Sequence, residues 1–504
     1  MLRKIRIILA AIFFIGISLL ILDFTGTLHT YFSWMAKVQL APAILSLNIA
    51  VILGLLILTL LFGRVYCSVI CPLGTMQDIF ARMGGFGRKN RFKFSPAKNI
   101  LRIVMLVLFI VFIVLGLDSL WHIMAPYSTY SQMLHALVSP IYRTANNALA
   151  YFAERADSYA FYKVEVIWYG ALIIGVNLAV LVIIGGLAWF GGRTWCNTIC
   201  PVGTVLGFIS KLSWFKPVID VTKCNGCTLC SRNCKASCID AKKHKIDYSR
   251  CVACMNCIST CKHGAISFTC RRSNTPEIIA SQGGQGGNPL AEGRRNFLSM
   301  GIAVVAGSLV ARAQNGVDGG LAEIEDKQKP ERQTPLTPPG SKNWNNFTRR
   351  CIACELCISE CPSGILKPST EFKTFMQPVM DYTNGYCRPE CNKCSQVCPT
   401  GAILPLDLPE KVSTQIGKAV WIEHSCIIGM EIEGEEIKKC GNCARHCPNG
   451  AIEMMAKDPD DPDSLKFPVI NPERCIGCGA CEYVCPARPF TAIYVEGLQQ
   501  HKLN

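Results

Sequence analysis

The stretch Cys224-Asn225-Gly226-Cys227-Thr228-Leu229-Cys230-Ser231-Arg232-Asn233-Cys234 is echoed by Cys251-Val252-Ala253-Cys254-Met255-Asn256-Cys257-Ile258-Ser259-Thr260-Cys261. Three cysteines two residues apart, with a fourth three residues on, is the ligand spacing for paired [4Fe-4S] clusters, the fourth thiolate reaching across to the neighbouring cluster. The expected sets are Cys224, Cys227 and Cys230 with Cys261, and Cys251, Cys254 and Cys257 with Cys234. A zinc site needs only four ligands and leaves the fourth cysteine of both runs unexplained. Lys235 and Lys262 stand where proline usually follows, and cations there would tend to raise the cluster potentials.

The same theme recurs downstream. Cys351, Cys354, Cys357 and Cys361, and Cys475, Cys478, Cys481 and Cys485, keep the regular spacing; Cys387, Cys391, Cys394 and Cys398, and Cys426, Cys440, Cys443 and Cys447, are stretched. Because the regular motifs lie outermost, nested pairing is expected, first with fourth and second with third. Cys426 needs a loop to return it. Six [4Fe-4S] clusters are implied, and Cys238 and Cys270 are left over as packing residues.

The other half of the chain is of a different kind. Up to Ala313 it holds 31 Lys and Arg against 11 Asp and Glu, and after it 20 against 25, within 504 residues that are 50% hydrophobic and 17% charged. The basic excess lies between apolar runs, as in cytoplasmic loops of membrane proteins, so no nucleic-acid partner is expected. Four runs, Ile5–Leu22, Leu40–Phe62, Leu101–Leu117 and Val166–Phe190, approach the roughly 20 residues that cross a bilayer as helix. Arg64, Arg82, Arg88, Lys89, Arg91, Lys93, Lys98 and Arg102 against Asp78 place both ends of this unit in the cytoplasm.

Gly63-Arg64-Val65-Tyr66-Cys67-Ser68-Val69-Ile70-Cys71-Pro72 repeats as Gly192-Arg193-Thr194-Trp195-Cys196-Asn197-Thr198-Ile199-Cys200-Pro201, each after an out-and-back pair of spans. Two parallel hairpins related by an axis along the membrane normal would bring Cys67, Cys71, Cys196 and Cys200 together. Such a quartet suits a further cluster or other metal, a redox-active thiol pair in each motif, or a structural role.

Between the halves, Arg294-Arg295-Asn296-Phe297-Leu298, an apolar run to Ala311 and Ala311-Arg312-Ala313 resemble a twin-arginine export signal, which serves cargo folded around its cofactor. The expected division is a four-helix membrane domain over 1–215, a cytoplasmic two-cluster domain over 216–272, a linker over 273–293, the signal or anchor over 294–313, a linker over 314–345, and a four-cluster domain over 346–496 in the periplasm. Gln328–Lys342 is expected to be a flexible stalk. The fold class is a helical membrane domain plus α+β bacterial two-cluster ferredoxin-like domains.

On these motifs, residues 1–270 resemble the NapH-type membrane ferredoxins and about 294–495 the NapG/MauM-type periplasmic ferredoxins, as in a natural fusion of the two. The resemblance implies a bacterial inner-membrane protein that oxidises membrane quinol and passes electrons to a periplasmic reductase or cytochrome, as in nitrate respiration, with the twin-arginine export machinery as a further partner. Quinol oxidation releases protons, and the candidate acceptors on the periplasmic side are His29, His122, His135, Asp118 and Glu165, with His122 first. Two alternatives differ in class: a redox maintenance or maturation factor for a periplasmic cofactor enzyme, and a cytoplasmic redox sensor or scaffold with all six clusters on one side.

Overall fold

The computed structural model describes residues 2–85, 92–158, 160–270, 326–432, 435–436, 439–458, 460 and 464–503. The twin-arginine segment 294–313 lies outside the described residues.

The N-terminal unit is helical: α1 (Leu2–Leu22), α2 (Thr27–Lys37), α3 (Leu40–Leu45), α4 (Ile49–Phe62), α5 (Val65–Val69), α6 (Pro72–Met83), α7 (Asn99–Leu115), α8 (Asp118–Met124), α9 (Pro126–Met133), α10 (Ser139–Arg155), α11 (Ala171–Gly191), α12 (Thr194–Thr198) and α13 (Pro201–Ser210). Among the described residues α1 and α11, each 21 residues, are long and apolar enough to cross a membrane. At 1.5 Å per residue each extends about 30 Å. The expected second span is broken in two. Leu47 takes a left-handed turn (φ 55°) and the Asn48 side chain accepts from Val51 N to start α4, leaving helices of 6 and 14 residues. The third is a 17-residue helix. An outer surface of exposed apolar side chains runs over Ile8, Ile12 and Ile15 of α1, Leu53 and Ile57 of α4, Val107 and Val111 of α7, and Val182 of α11.

The repeat folds the same way twice. In each copy a five-residue helix (α5, α12) carries the first cysteine. The second, Cys71 or Cys200, is extended, and the proline after it opens the next helix at its first position, where no amide hydrogen is needed. The proline therefore starts a helix here as well as ending one.

The remaining chain is ferredoxin-like, short helices on small antiparallel ribbons. Phe215–Ile219 pairs with Ile266–Cys270 in the two-cluster domain; in the four-cluster domain Leu366–Pro368 pairs with Pro378–Met380, Ile452–Ala456 with Lys466–Ile470, and Thr414–Trp421 with Ile493–Leu503. The expected stalk Gln328–Lys342 is instead strapped to this domain. Arg332 makes a buried ion pair with Glu482 (2.6 Å) and donates to Val495 O (2.7 Å), Thr334 N donates to Glu496 (2.6 Å), and Leu336 is buried.

The two cluster domains sit at opposite ends of α1. At its start Arg3 reaches Ser259 of the two-cluster domain and Arg6 reaches Asp78; at its end Asp23 and His29 meet Glu360 of the four-cluster domain.

Candidate iron–sulfur sites

Each regular cysteine loop is shaped by left-handed residues. Gly226 and Thr228, Ala253 and Met255, Ala353 and Glu355, and Gly477 and Gly479 all have φ between 48° and 80°. Two such residues flanking the second cysteine of each loop curl the backbone so that successive thiols converge. Amides then point at sulfur: Ala353 N at Cys351 (3.4 Å), Ala419 N at Cys475 (3.4 Å) and Ala451 N at Cys447 (3.2 Å). Hydrogen bonds to sulfur are one of the levers that set cluster potential.

The thiols line separate apolar cavities. One is bounded by Cys224, Cys227, Cys230 and Cys261, another by Cys251, Cys254, Cys257 and Cys234 with Cys238. In the four-cluster domain the sets are Cys361, Cys387, Cys391 and Cys394; Cys447, Cys475, Cys478 and Cys481; and Cys426, Cys440, Cys443 and Cys485. The thiol of Cys357 lies within electrostatic reach of Cys351, Cys354, Cys398 and Cys394; Cys394 lines the cavity of Cys361, Cys387 and Cys391, and the other three complete the remaining set with Cys357. Pairing is thus consecutive, first motif with second and third with fourth, and the expected nesting is wrong. The reason is local: the ribbon Leu366–Met380 folds the first motif onto the second, and the ribbon Ile452–Ile470 folds the third onto the fourth.

These cavities fit a polynuclear cluster better than one metal ion. Burial pushes the thiols of Cys354 and Cys478 up to about 12 and those of Cys387 and Cys443 up to about 11. A desolvated thiolate in such a place needs metal cations beside it. Sulfurs around a single zinc lie about 3.8 Å apart. Among the described residues only Asp23, His29 and Glu360 bring three ligand atoms within 4.8 Å of one another.

The N-terminal helical unit gathers the thiols of its repeat. Cys67, Cys71, Cys196 and Cys200 are all buried. Burial, and then the neighbouring Cys196 and Cys67, push the Cys71 thiol up; Cys200 is raised by burial, Cys196, Cys67 and Cys71. The two copies exchange arginines. Arg64 donates to Cys196 O (3.0 Å) and Arg193 to Cys67 O. Each guanidinium packs against a glycine of the opposite copy, where a Cβ would meet it: Arg193 Nη1 2.6 Å from Gly74, Arg64 Nη2 2.7 Å from Gly203. Gln77 Nε2 points at Cys196 Sγ (3.2 Å). From Cys71, α6 runs off and packs against α9.

The two-cluster domain is fastened beside this quartet. Asp78 takes Arg6 (2.6 Å), Arg193 (2.7 Å) and Lys235 (2.5 Å) at once. Although burial opposes ionisation, these three cations hold its carboxyl well below the usual range. Arg64 also donates to Ser249 O (3.1 Å), Arg102 to Ser249 Oγ (3.0 Å), and Arg193 N to Lys235 O (2.8 Å). Lys235 therefore spends its charge on Asp78 across a domain boundary. Lys262 is exposed. Cys238, expected to be an inert packing residue, lies 3.5 Å from Cys234 Sγ.

At the other end α9 receives the first loop of the four-cluster domain. Ser128 Oγ donates to Ile352 O and Ser131 Oγ to Cys354 O, both at 2.6 Å, and Tyr169 Oη meets Glu355 Oε2 at 2.6 Å. Desolvation pushes the Glu355 carboxyl up to about 8. His122 is buried against the Cys351 backbone beside Trp121, not at a wet membrane edge, and burial lowers it to about 3; His135 is lowered likewise to about 3. His29 Nε2 lies 3.2 Å from Glu360 Oε1, with Asp23 adjoining. Glu165 reaches Gly364. The side chain of Asp118 lies outside the described residues. Asp78, Tyr169, Glu355 and Glu360 were not singled out from the sequence; lone acids in a basic or cysteine-rich segment were the only signal.

A family model described as a 4Fe-4S binding domain matches residues 45–92 and 173–221, the two parts of the N-terminal helical unit that carry the Cys-x3-Cys-Pro repeat. A 4Fe-4S dicluster domain matches 350–402 and 438–488, and a further 4Fe-4S binding domain 244–267. The ferredoxin-type protein NapG of Escherichia coli is 30% identical over 203 residues, 38% of this chain and 81% of that protein. The methylamine utilization ferredoxin-type protein MauM of Methylobacillus flagellatus is 30% identical over 157 residues, 30% of this chain; the match spans 64% of that relative's length. The ferredoxin-type protein NapF of Escherichia coli is 27% identical over 160 residues, 32% of this chain and 85% of its own. No solved structure matches the chain. The molecule carries 4Fe-4S domains suited to electron transfer, and through its C-terminal part it belongs to the NapG/MauM family of ferredoxin-type proteins.

Proposed function

We propose that the chain is a membrane-bound quinol dehydrogenase component: its N-terminal part is a NapH-type unit of four spans, fused to the NapG/MauM-type domain. It oxidises membrane quinol and hands electrons through six [4Fe-4S] clusters, held by the cysteine sets above, to a periplasmic reductase or cytochrome. The twin-arginine segment delivers the four-cluster domain to the periplasm. The observation that carries this reading is the seating of the two cluster domains at opposite ends of a helix about 30 Å long. Soluble domains on either end of a membrane-crossing helix lie on opposite sides of the bilayer.

The quartet Cys67, Cys71, Cys196 and Cys200 fits a seventh redox site. It adjoins the two-cluster domain through Arg64 and Asn197, and it is separated from the first set of the four-cluster domain by one pair of packed helices, α6 and α9. A redox centre there would divide the electron's path between the two cluster domains into two shorter steps. For the quinol protons, burial lowers both His122 and His29, but His29 faces the Glu360 and Asp23 carboxyls, which would hold a proton on it, and is the better-placed acceptor.

The test is anaerobic purification in detergent, with iron and sulfide quantified and quinol added while cluster reduction is followed by electron paramagnetic resonance. Quinol-reducible clusters with iron for six or seven cubanes support the reading. Full clusters that quinol leaves oxidised refute it in favour of a maintenance role.

A further inference from the structure

The four-cluster domain has two unlike ends. Its cysteine sets stand in a fixed order. The first set (Cys351, Cys354, Cys357, Cys398) and the second (Cys361, Cys387, Cys391, Cys394) exchange a cysteine, as do the third (Cys447, Cys475, Cys478, Cys481) and fourth (Cys426, Cys440, Cys443, Cys485). The pairs are joined where Cys387 N donates to Cys478 O at 2.9 Å, which sets the second set beside the third. The order along the domain is therefore first, second, third, fourth.

The first end is plugged into the membrane unit. Ser128, Ser131 and Tyr169 grip its loop, and all four residues of the short helix Leu356–Ser359 that follows are buried. The equivalent helix at the fourth end, Asn442–Arg445, buries none of its residues. Around it His424, Met430, Lys439, Arg445 and His446 are exposed, and Cys426, Cys440 and Cys443 are only partly covered. The same loop and helix are thus sealed at one end of the domain and open at the other.

We propose that the open end, the surface of His424, Met430, Lys439 and Asn442–His446, is the docking face for a soluble redox protein whose acceptor centre approaches its own surface. The sealed end is the inlet. The direction of flow rests on the quinol reading above: one quinol becomes quinone, releases two protons, and its two electrons leave singly to two one-electron acceptor centres. The position of the outlet does not rest on it.

Two measurements on the full chain separate these points. Dithionite-reduced protein is examined by electron paramagnetic resonance with a dysprosium chelate as a solvent-borne relaxing agent. The component missing in Cys443→Ser relaxes strongly, and the component missing in Cys354→Ser does not. Where Cys443→Ser fails to accumulate, Cys426→Ser makes the same assignment. Equal relaxation, or the reverse order, overturns the proposal whatever quinol does. In the second, quinol drives reduction of an added soluble c-type cytochrome. Arg445→Glu with His446→Glu slows cytochrome reduction about tenfold while cluster reduction by quinol is unchanged. An unchanged cytochrome rate overturns the docking face; failure of quinol to reduce the wild-type clusters overturns the function proposed above and leaves the relaxation result standing.

Discussion

Asp78→Asn removes the anion at the centre of the joint between the N-terminal helical unit and the two-cluster domain. The carboxylate accepts from Arg6, Arg193 and Lys235 at 2.5–2.7 Å, with the side chains of Arg193 and Lys235 0% and 10% exposed. With asparagine the group changes from two net positive charges to three, in a place where water cannot dilute them. Each lost attraction is worth about 4 kcal/mol at 4 Å and an effective dielectric near 20, offset by the desolvation the carboxylate no longer suffers. Removing one partner of a buried ion group costs about 3–5 kcal/mol, and the amide oxygen, which still accepts one bond, argues for the low end, about 3 kcal/mol.

That energy is local, so the assay has to be local. The Arg193 amide donates to Lys235 O and is protected only while the two domains are joined. At 1.36 kcal/mol per decade, about 3 kcal/mol raises its hydrogen-exchange rate about a hundredfold. Removing a cation as well, in Asp78→Asn with Lys235→Met, restores part of the protection. Mild acid does not mimic the substitution. Because the folded pKa is depressed, the stabilisation is present above the unfolded value and disappears only as pH falls through the folded one, far into the acid range. Exchange at Arg193 within about a factor of two of wild type would refute the reasoning and make the ionic joint dispensable.

Three further outcomes are expected. Cys238→Ala removes a thiol 3.5 Å from Cys234 Sγ, and the lost hydrogen bond, about 1 kcal/mol or about 40 mV for one electron, lowers the potential of the neighbouring cluster; a redox titration reads it, and an unchanged or raised potential contradicts it. His501 is lowered to about 4 by desolvation, so its contribution is complete above pH 6.5 and is lost as pH falls from there through 4; the strand Ile493–Leu503 then loses at most about 3 kcal/mol, visible as faster exchange at His501 N, which is bonded to Lys342 O, and absent in His501→Gln. Gly203→Ala puts a methyl group against the Cys196 carbonyl oxygen and 2.7 Å from Arg64 Nη2, crowds both partners of that hydrogen bond, and costs about 1–3 kcal/mol of stability in the N-terminal helical unit, measured as a lower thermal midpoint in detergent. An unaltered midpoint would mean that this close approach of Gly203 to Cys196 and Arg64 carries no stability.

The 4Fe-4S character of the motifs was legible in the residues themselves, because thiolate spacing is a local property. Two left-handed residues and a short helix can be built from eleven consecutive positions, and Cys224–Cys234 or Cys351–Cys361 carries all of them. The duplicated Cys-x3-Cys-Pro segment was legible for the same reason. Which motif closes on which was not. Motif regularity suggested nesting, whereas two short ribbons, Leu366–Met380 and Ile452–Ile470, fold each motif onto its neighbour in the chain. Composition likewise marked Gln328–Lys342 as loose, and one buried Arg332–Glu482 pair straps it down.

The sequence by itself therefore determined the chemistry: thiolates in sets for iron–sulfur clusters, apolar helices beside them, and a break between a basic and an acidic half. Only the tertiary structure decided how these parts connect. Asp78 is a single acid in a basic loop until Arg6, Arg193 and Lys235 arrive from three other places, and Ser128 and Ser131 are unremarked hydroxyls until the Cys351–Cys357 loop lands on them. Ligand spacing is encoded within one turn of chain. A joint between domains depends on partners more than a hundred residues apart, and no local pattern records it.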